Sequence, residues 1–208
     1  MPGPDLLIAF ILATFVFGYM PGPALLYTAA RTLAGGRRDG WHAALGLHMG
    51  GYVHVLAAAF GLALLFQAVP VLYTALKLVG AVYLVWLGIG ILRRQQDMRV
   101  EVPKGAPKGR AFWQSATVEI LNPKTAIFYL AFLPQFTDPT AGFAIWVQFL
   151  ILGTVVNIVF SSADVLCVLL ADRVAGLLRR PGQSARWMQR VGGSILIGLG
   201  VKLALSRS

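Results

Sequence analysis

Few residues in this chain could do chemistry, and those few stand where apolar sequence leaves little room for them. Glu119, Asn122, Pro123 and Lys124 interrupt the run Glu119-Ile-Leu-Asn-Pro-Lys-Thr-Ala-Ile-Phe-Tyr-Leu-Ala-Phe-Leu-Pro134, which otherwise has the apolar character of a membrane helix. Pro123 has no N–H, so a helix passing through it leaves the Glu119 carbonyl without its usual donor. An unpaired carbonyl in a bilayer core costs several kcal/mol, so a broken backbone there must line a cavity or pack against protein. Counted from a helix start near Phe112, Lys124 lies about 18 Å in, close to mid-membrane and too deep for its ammonium to reach the surface easily. Charged groups at that depth mark a pathway or a site. A second break lies at Met20-Pro21-Gly22-Pro23, where Pro21 and Pro23 free the carbonyls of Phe17 and Tyr19. A third polar feature is the series Thr154, Asn157, Ser161 and Asp164, spaced i, i+3, i+7 and i+10, which is one face of a helix. His54 is a further group able to relay a proton, although a histidine facing a neighbouring helix serves equally well as a packing residue. His48 and His54 are six apart and fall on different faces, so they make no metal pair.

Composition fixes the setting for these groups. The chain has 208 residues, 57% hydrophobic and 12% charged, with a mean hydropathy of +0.71. A soluble domain carries about twice that charged fraction. The apolar runs predict six spans, at 5–30, 41–66, 70–92, 112–134, 143–171 and 190–205. The formal net charge of +10 comes from basic residues that lie almost entirely between spans, which points to loops beside anionic lipid rather than to nucleic acid. Links 31–40, 93–111 and 172–189 hold most of the arginines and lysines, whereas the links near 67–69 and 137–142 hold none. The positive-inside rule then places the three basic links in the cytoplasm and both termini outside. The single cysteine, Cys167, excludes a disulfide framework. The first apolar run lacks a basic leader, so it reads as a retained span rather than a cleaved signal.

The expected fold is therefore all-α and integral to the membrane, one domain over 1–208. Its two three-helix halves, about 1–92 and 112–208, are joined by the basic loop 93–111. Ala13-Thr14…Met20-Pro21-Gly22-Pro23-Ala24 parallels Ala116-Thr117…Asn122-Pro123-Lys124-Thr125-Ala126. Because each half has three spans, the second half sits inverted relative to the first. Proline-broken helices at matching positions of inverted repeats point to a transporter's midplane site. No HExxH, nucleophile elbow or P-loop occurs, so neither a cofactor nor a bound metal is expected, and ATP-driven pumping by this chain alone is disfavoured. Gly46, Gly50 and Gly61 in the second span, and Gly80 and Gly88 in the third, suit close helix packing. Lys77 and Lys202 read as cations near the outer interface.

Several stretches together resemble the LysE/RhtB family of amino-acid exporters. They are Met20-Pro21-Gly22-Pro23, Asn122-Pro123-Lys124…Leu133-Pro134-Gln135-Phe136, Leu78-Val79-Gly80…Leu87-Gly88 and Gly192-Gly193…Gly198-Leu199-Gly200. The resemblance covers almost the whole chain, and the Asn-Pro-Lys segment is its most specific part. It implies a bacterial inner-membrane protein that exports amino acids or close derivatives against protons, with its breaks at Pro21, Gly22, Pro23, Asn122, Pro123 and Lys124. Members of the family often carry Thr where this chain has Met20, and many carry Asp where it has Gly51. The implied partners are an amino acid, protons and the lipid bilayer, with a homodimer as the candidate assembly. The expected substrate-binding set is Pro21, Gly22, Pro23, Asn122, Pro123, Lys124 and Asn157, with Glu119, Asp164 and His54 as candidates for the coupled proton. The alternatives are a divalent-cation exporter using Glu119, Asp164 and His54, against which Lys124 stands, and an intramembrane enzyme or lipid scramblase.

Overall fold

The prolines that interrupt the apolar runs also start the helices that follow them. In a computed structural model, which describes residues 4–93, 110–171 and 183–205, helix α1 (Pro4–Tyr19) stops before the first break and α2 (Pro23–Leu56) resumes at Pro23. Helix α5 (Ala111–Ile120) stops before the second break and α6 (Pro123–Phe132) resumes at Pro123. Proline suits a first helical position because its missing N–H needs no intrahelical partner there. The two starts differ in their caps. Asn122 precedes α6 and its side chain accepts a hydrogen bond from the Lys124 N–H at 3.1 Å, whereas Gly22 precedes α2 and offers no side chain.

The remaining elements are a wide π turn at Ala57–Leu62, α3 (Ala63–Ala68), α4 (Val71–Arg93), a 3₁₀ turn at Leu133–Phe136, α7 (Ile145–Leu169) and α8 (Gln183–Leu205). No strand occurs among the described residues. The stretches Pro23–Ala68, Val71–Gly90 and Ile145–Leu169 are long and apolar enough to cross a membrane, and Leu6–Tyr19 is a shorter apolar helix.

The link expected at 31–40 is not a loop. Helix continues on both sides of Gly36, whose φ of 76° is the one positive value among the described residues. Only glycine adopts that conformation without strain, and the chain folds back on itself there. A Cβ on Gly40 would collide with Thr32. The contacts with α7 confirm the reversal. Gly18, Thr28 and Arg37 meet α7 near Phe160, Asp164 and Leu169 in ascending order. His48, Gly51 and Val55 meet it near Ser161, Asn157 and Gly153 in descending order. Arg37 donates to the Leu169 carbonyl at 3.2 Å, a cation placed at the negative end of a helix. The basic link 93–111 lies almost entirely outside the described residues, as does 172–182 of the link expected at 172–189, whereas its last residues from Gln183 onward are already helix α8.

Helix α2 packs most extensively on α5, and α4 on α8. Both contacts depend on glycine. Gly46 and Gly50 face the Phe112 and Ala116 carbonyls of α5, and Gly88 and Gly200 face backbone across the α4–α8 seam, so any Cβ would meet main chain. Helix α5 runs alongside the second limb of α2, which places the two broken helices antiparallel, with their breaks side by side. Between them runs a column of buried rings. Phe17 stacks on Phe128 at 4.0 Å, Phe128 on Phe132 at 4.3 Å, and Phe132 meets Phe136 at 4.7 Å. This column fills the space on one side of the breaks.

Candidate functional site

Where the two breaks meet, a cavity forms. Met20, Gly22, Ala24 and Leu25 line it from the first break, and Glu119, Asn122, Lys124 and Thr125 from the second. Helix α7 adds Asn157, Phe160, Ser161 and Asp164. Of the expected binding residues, Gly22, Asn122, Lys124 and Asn157 line the cavity; Pro21, Pro23 and Pro123 shape the breaks without lining it. Of the polar stripe on α7, Asn157, Ser161 and Asp164 reach the cavity and Thr154 does not.

Lys124 crosses from α6 to the end of α1. Its ammonium donates to the Met20 carbonyl at 3.2 Å and to the Phe17 carbonyl at 3.5 Å, and it stands 4.4 Å from the centre of the Phe17 ring. A cation at a helix C-terminus and over an aromatic face is doubly favoured. The Phe17 carbonyl that Pro21 frees is therefore engaged by Lys124 in this structure. Gly22 makes the arrangement possible, since a Cβ there would lie 2.8 Å from the Lys124 Nζ.

The two acids are held by neutral donors. Glu119 is buried and accepts from Asn122 Nδ2 at 3.1 Å. Asp164 is buried and accepts from the Thr28 hydroxyl at 3.0 Å. Among the described residues neither acid pairs with Lys124; the ion pair recorded is Arg31 with Asp39. One ammonium and two carboxyl groups thus border a single cavity without neutralising one another directly. No cluster of three metal-ligating side chains occurs among the described residues.

Neither His54 nor His48 lines the cavity. His54 Nε2 is 2.8 Å from the Glu119 carbonyl, the group that Pro123 deprives of its helical donor. A carbonyl only accepts, so the histidine nitrogen donates. The Asn122 N–H reaches the same oxygen at 3.0 Å. His54 therefore completes the broken helix. His54→Ala is expected to lower stability by about 1–3 kcal/mol, the cost of withdrawing a partner from a buried polar group, read as a drop in the thermal midpoint of the purified protein. His54→Gln, which keeps a donor, should recover part of the drop and leave gradient-driven transport intact. Loss of coupling in both variants would instead give His54 a proton-carrying part. His48, on the opposite face, hydrogen-bonds Ser161 at 2.5 Å, and Asn157 donates to the His48 carbonyl at 3.1 Å.

Three further residues belong to the site: Thr125 and Phe160 line the cavity, and Thr28 holds Asp164 at its wall. Thr28 was discoverable as a polar residue one helical turn past Ala24 on the resumed helix. Phe160 gave no signal, because a phenylalanine in an apolar span resembles any other. Gly51 has a local reason: a Cβ at this position would overlap the Asn157 side-chain amide, so the glycine and Asn157 occupy one space between them.

The family profile described as LysE type translocator matches residues 15–207, a range that takes in both breaks and the α7 stripe. This chain belongs to that family. An uncharacterized membrane protein of Pseudomonas aeruginosa is 30% identical over 202 residues, 92% of this chain and 93% of that protein. A homoserine/homoserine lactone efflux protein of Salmonella typhi is 28% identical over 200 residues, 96% of each chain. A leucine efflux protein of Salmonella typhimurium is 29% identical over 191 residues, 91% of this chain and 90% of that protein. No solved structure matches. The translocator family accounts for the all-helical, apolar architecture, and efflux of amino acids is the activity named among its relatives.

Proposed function

We propose that this chain exports an amino acid or amino-acid derivative across the bacterial cytoplasmic membrane in exchange for protons. It does so as a single domain of six spans in two inverted three-helix halves. The observation that carries this reading is the cavity between the two proline breaks, lined by Lys124, Glu119 and Asp164, none of them ion-paired among the described residues. A zwitterion is the ligand whose charges complement that set. Its carboxylate lies at the uncapped start of α2, where Gly22 leaves the Ala24 and Leu25 N–H groups without a capping side chain, and within reach of the Lys124 ammonium. Its ammonium faces the Glu119 or Asp164 carboxyl. Asn157 and Phe160 bound the space for its side chain.

The basic turn at Gly36 faces the cytoplasm and both termini lie outside. The column Phe17–Phe128–Phe132–Phe136 then closes the outward route, and transport requires the two broken helices to shift so that the column opens. Antiparallel packing of the broken helices at their breaks supports the inverted relation of the halves.

The test uses purified protein in liposomes with an imposed pH gradient and a radiolabelled panel of the twenty amino acids, homoserine and two divalent metals. Gradient-dependent movement of one amino-acid class is expected. Movement of metal alone would overturn the reading in favour of a cation exporter, and movement that ignores the pH gradient would remove the proton.

A further inference from the structure

Arg31 lies on the first limb of α2, one helical turn beyond Thr28 and toward the Gly36 turn. Among the described residues this buried arginine lacks adequate partners. Its side chain is 6% exposed. Both Nε and Nη2 are buried with no hydrogen-bond acceptor among the described residues. Its nearest acid is Asp39, across the Gly36 turn, at 3.7 Å from Nη2 to Oδ2, beyond hydrogen-bond reach. Leaving charged donors unsatisfied in a buried position is costly, so the arrangement calls for an acceptor.

The chemistry of that acceptor follows from which donors are free. Nε–H and one Nη2–H lie parallel along the same edge of the planar guanidinium, the spacing that a carboxylate's two oxygens fill. Asp39 is 22% exposed and so lies on the more open side of the pair. It is folded over the turn, where a Cβ on Gly35 would run into its carboxylate. From Arg31 the limb leads inward past Thr32, whose hydroxyl donates to the Thr28 carbonyl at 2.7 Å, to Thr28 and its bond with Asp164 at the cavity wall.

We infer that Arg31 and Asp39 form a second, cytoplasmic-side binding site for a zwitterionic amino acid. Arg31 takes the carboxylate along its Nε/Nη2 edge and Asp39 takes the ammonium, before the ligand passes Thr28 to the central cavity. The inference rests on the exporter reading above, and specifically on its orientation. It gives the buried arginine an acceptor, and it gives the Gly36 turn a task, since the two partners stand on opposite limbs and Gly36 sets their separation.

The experiment measures half-saturation concentrations from each face separately. It uses inside-out and right-side-out proteoliposomes in exchange mode, with whichever of the twenty amino acids the wild-type protein moves fastest. Arg31→Lys keeps the charge and loses the fork. It is expected to raise the half-saturation concentration about tenfold from the Gly36 face, the size of a lost bidentate contact, with no change from the opposite face and little change in maximal rate. Asp39→Asn, an exposed-side change that keeps size, should give the same one-sided rise and serves where Arg31→Lys fails to fold. A merely structural arginine would shift both faces or the thermal midpoint alone, and either result overturns the site. Equal half-saturation in variant and wild-type protein also overturns it. Absence of amino-acid movement by the wild-type protein overturns the exporter reading and this site with it.

Discussion

Replacing Lys124 with alanine is expected to abolish export, by two orders of magnitude or more, in a protein that still inserts and still elutes as a folded species. The ammonium is the cavity's one cation, and it makes two contacts to the end of α1, at 3.2 and 3.5 Å. Each hydrogen bond from a charged group contributes about 1.5–3 kcal/mol. Two that are exchanged for contacts with a substrate carboxylate during transport correspond to a factor of about a hundred or more. The folded state has less at stake. The Phe17 carbonyl also accepts from the Met20 N–H at 3.3 Å, and α6 keeps its start through Asn122, which caps the Lys124 backbone N–H rather than its side chain. Initial rates in liposomes, paired with thermal unfolding in detergent, separate the two effects. Lys124→Arg should rescue poorly. The ammonium lies against Gly22, where a Cβ would already be in contact with the lysine chain, and a planar guanidinium needs more room than that. Export at near wild-type rate by Lys124→Ala would remove this residue from the site altogether.

The breaks were legible in the sequence because proline acts through local covalent chemistry: a missing N–H and a fixed φ need no knowledge of the fold. The helix starts at Pro23 and Pro123 and the stripe on α7 follow from such local rules, and the cost of charge in an apolar run marks Lys124, Glu119 and Asp164 one by one. What was not legible depends on which helix faces which. Pro123 announces a stranded Glu119 carbonyl, but only packing supplies His54, 65 positions earlier, as its partner. Pro21 likewise announces a freed Phe17 carbonyl, but only packing brings a lysine 107 positions later to it. Arg31, Arg37 and Arg38 mark 31–40 as a link by their charge, whereas a single glycine at 36 turns the chain with helix on either side. Nothing in the local pattern marks the wide turn at Ala57–Leu62 either, since its alanines suit an ordinary helix equally well.

Asp164→Asn is expected to uncouple transport from the pH gradient while leaving exchange of labelled for unlabelled substrate within about threefold of wild type, because the change keeps the hydrogen bond and removes the titration. The two acids of the cavity differ in what holds them. Glu119 is met at 3.1 Å by an amide nitrogen of Asn122, which can only donate, with the Thr125 hydroxyl as a lesser partner. Asp164 is met by the Thr28 hydroxyl, which donates to a carboxylate and can turn to accept from a carboxylic acid. A group that must pass through both protonation states in each cycle is better served by the second kind of partner. Asp164 also stands where the limb carrying Arg31 meets the cavity, on the cytoplasmic approach in the proposed orientation. Asparagine in its place still offers an oxygen to Thr28, so the fold is expected to survive. One proton exchanged per substrate lets a gradient of one pH unit, worth about 1.4 kcal/mol, support about tenfold accumulation. In Asp164→Asn liposomes that accumulation should fall to the level seen without a gradient. Glu119→Gln should slow exchange, through Asn122 and the Lys124 cap that Asn122 holds, and should still accumulate substrate when the gradient is imposed. The reverse pattern, with accumulation lost in Glu119→Gln and kept in Asp164→Asn, would assign the proton to Glu119 and leave Asp164 to hold the substrate ammonium.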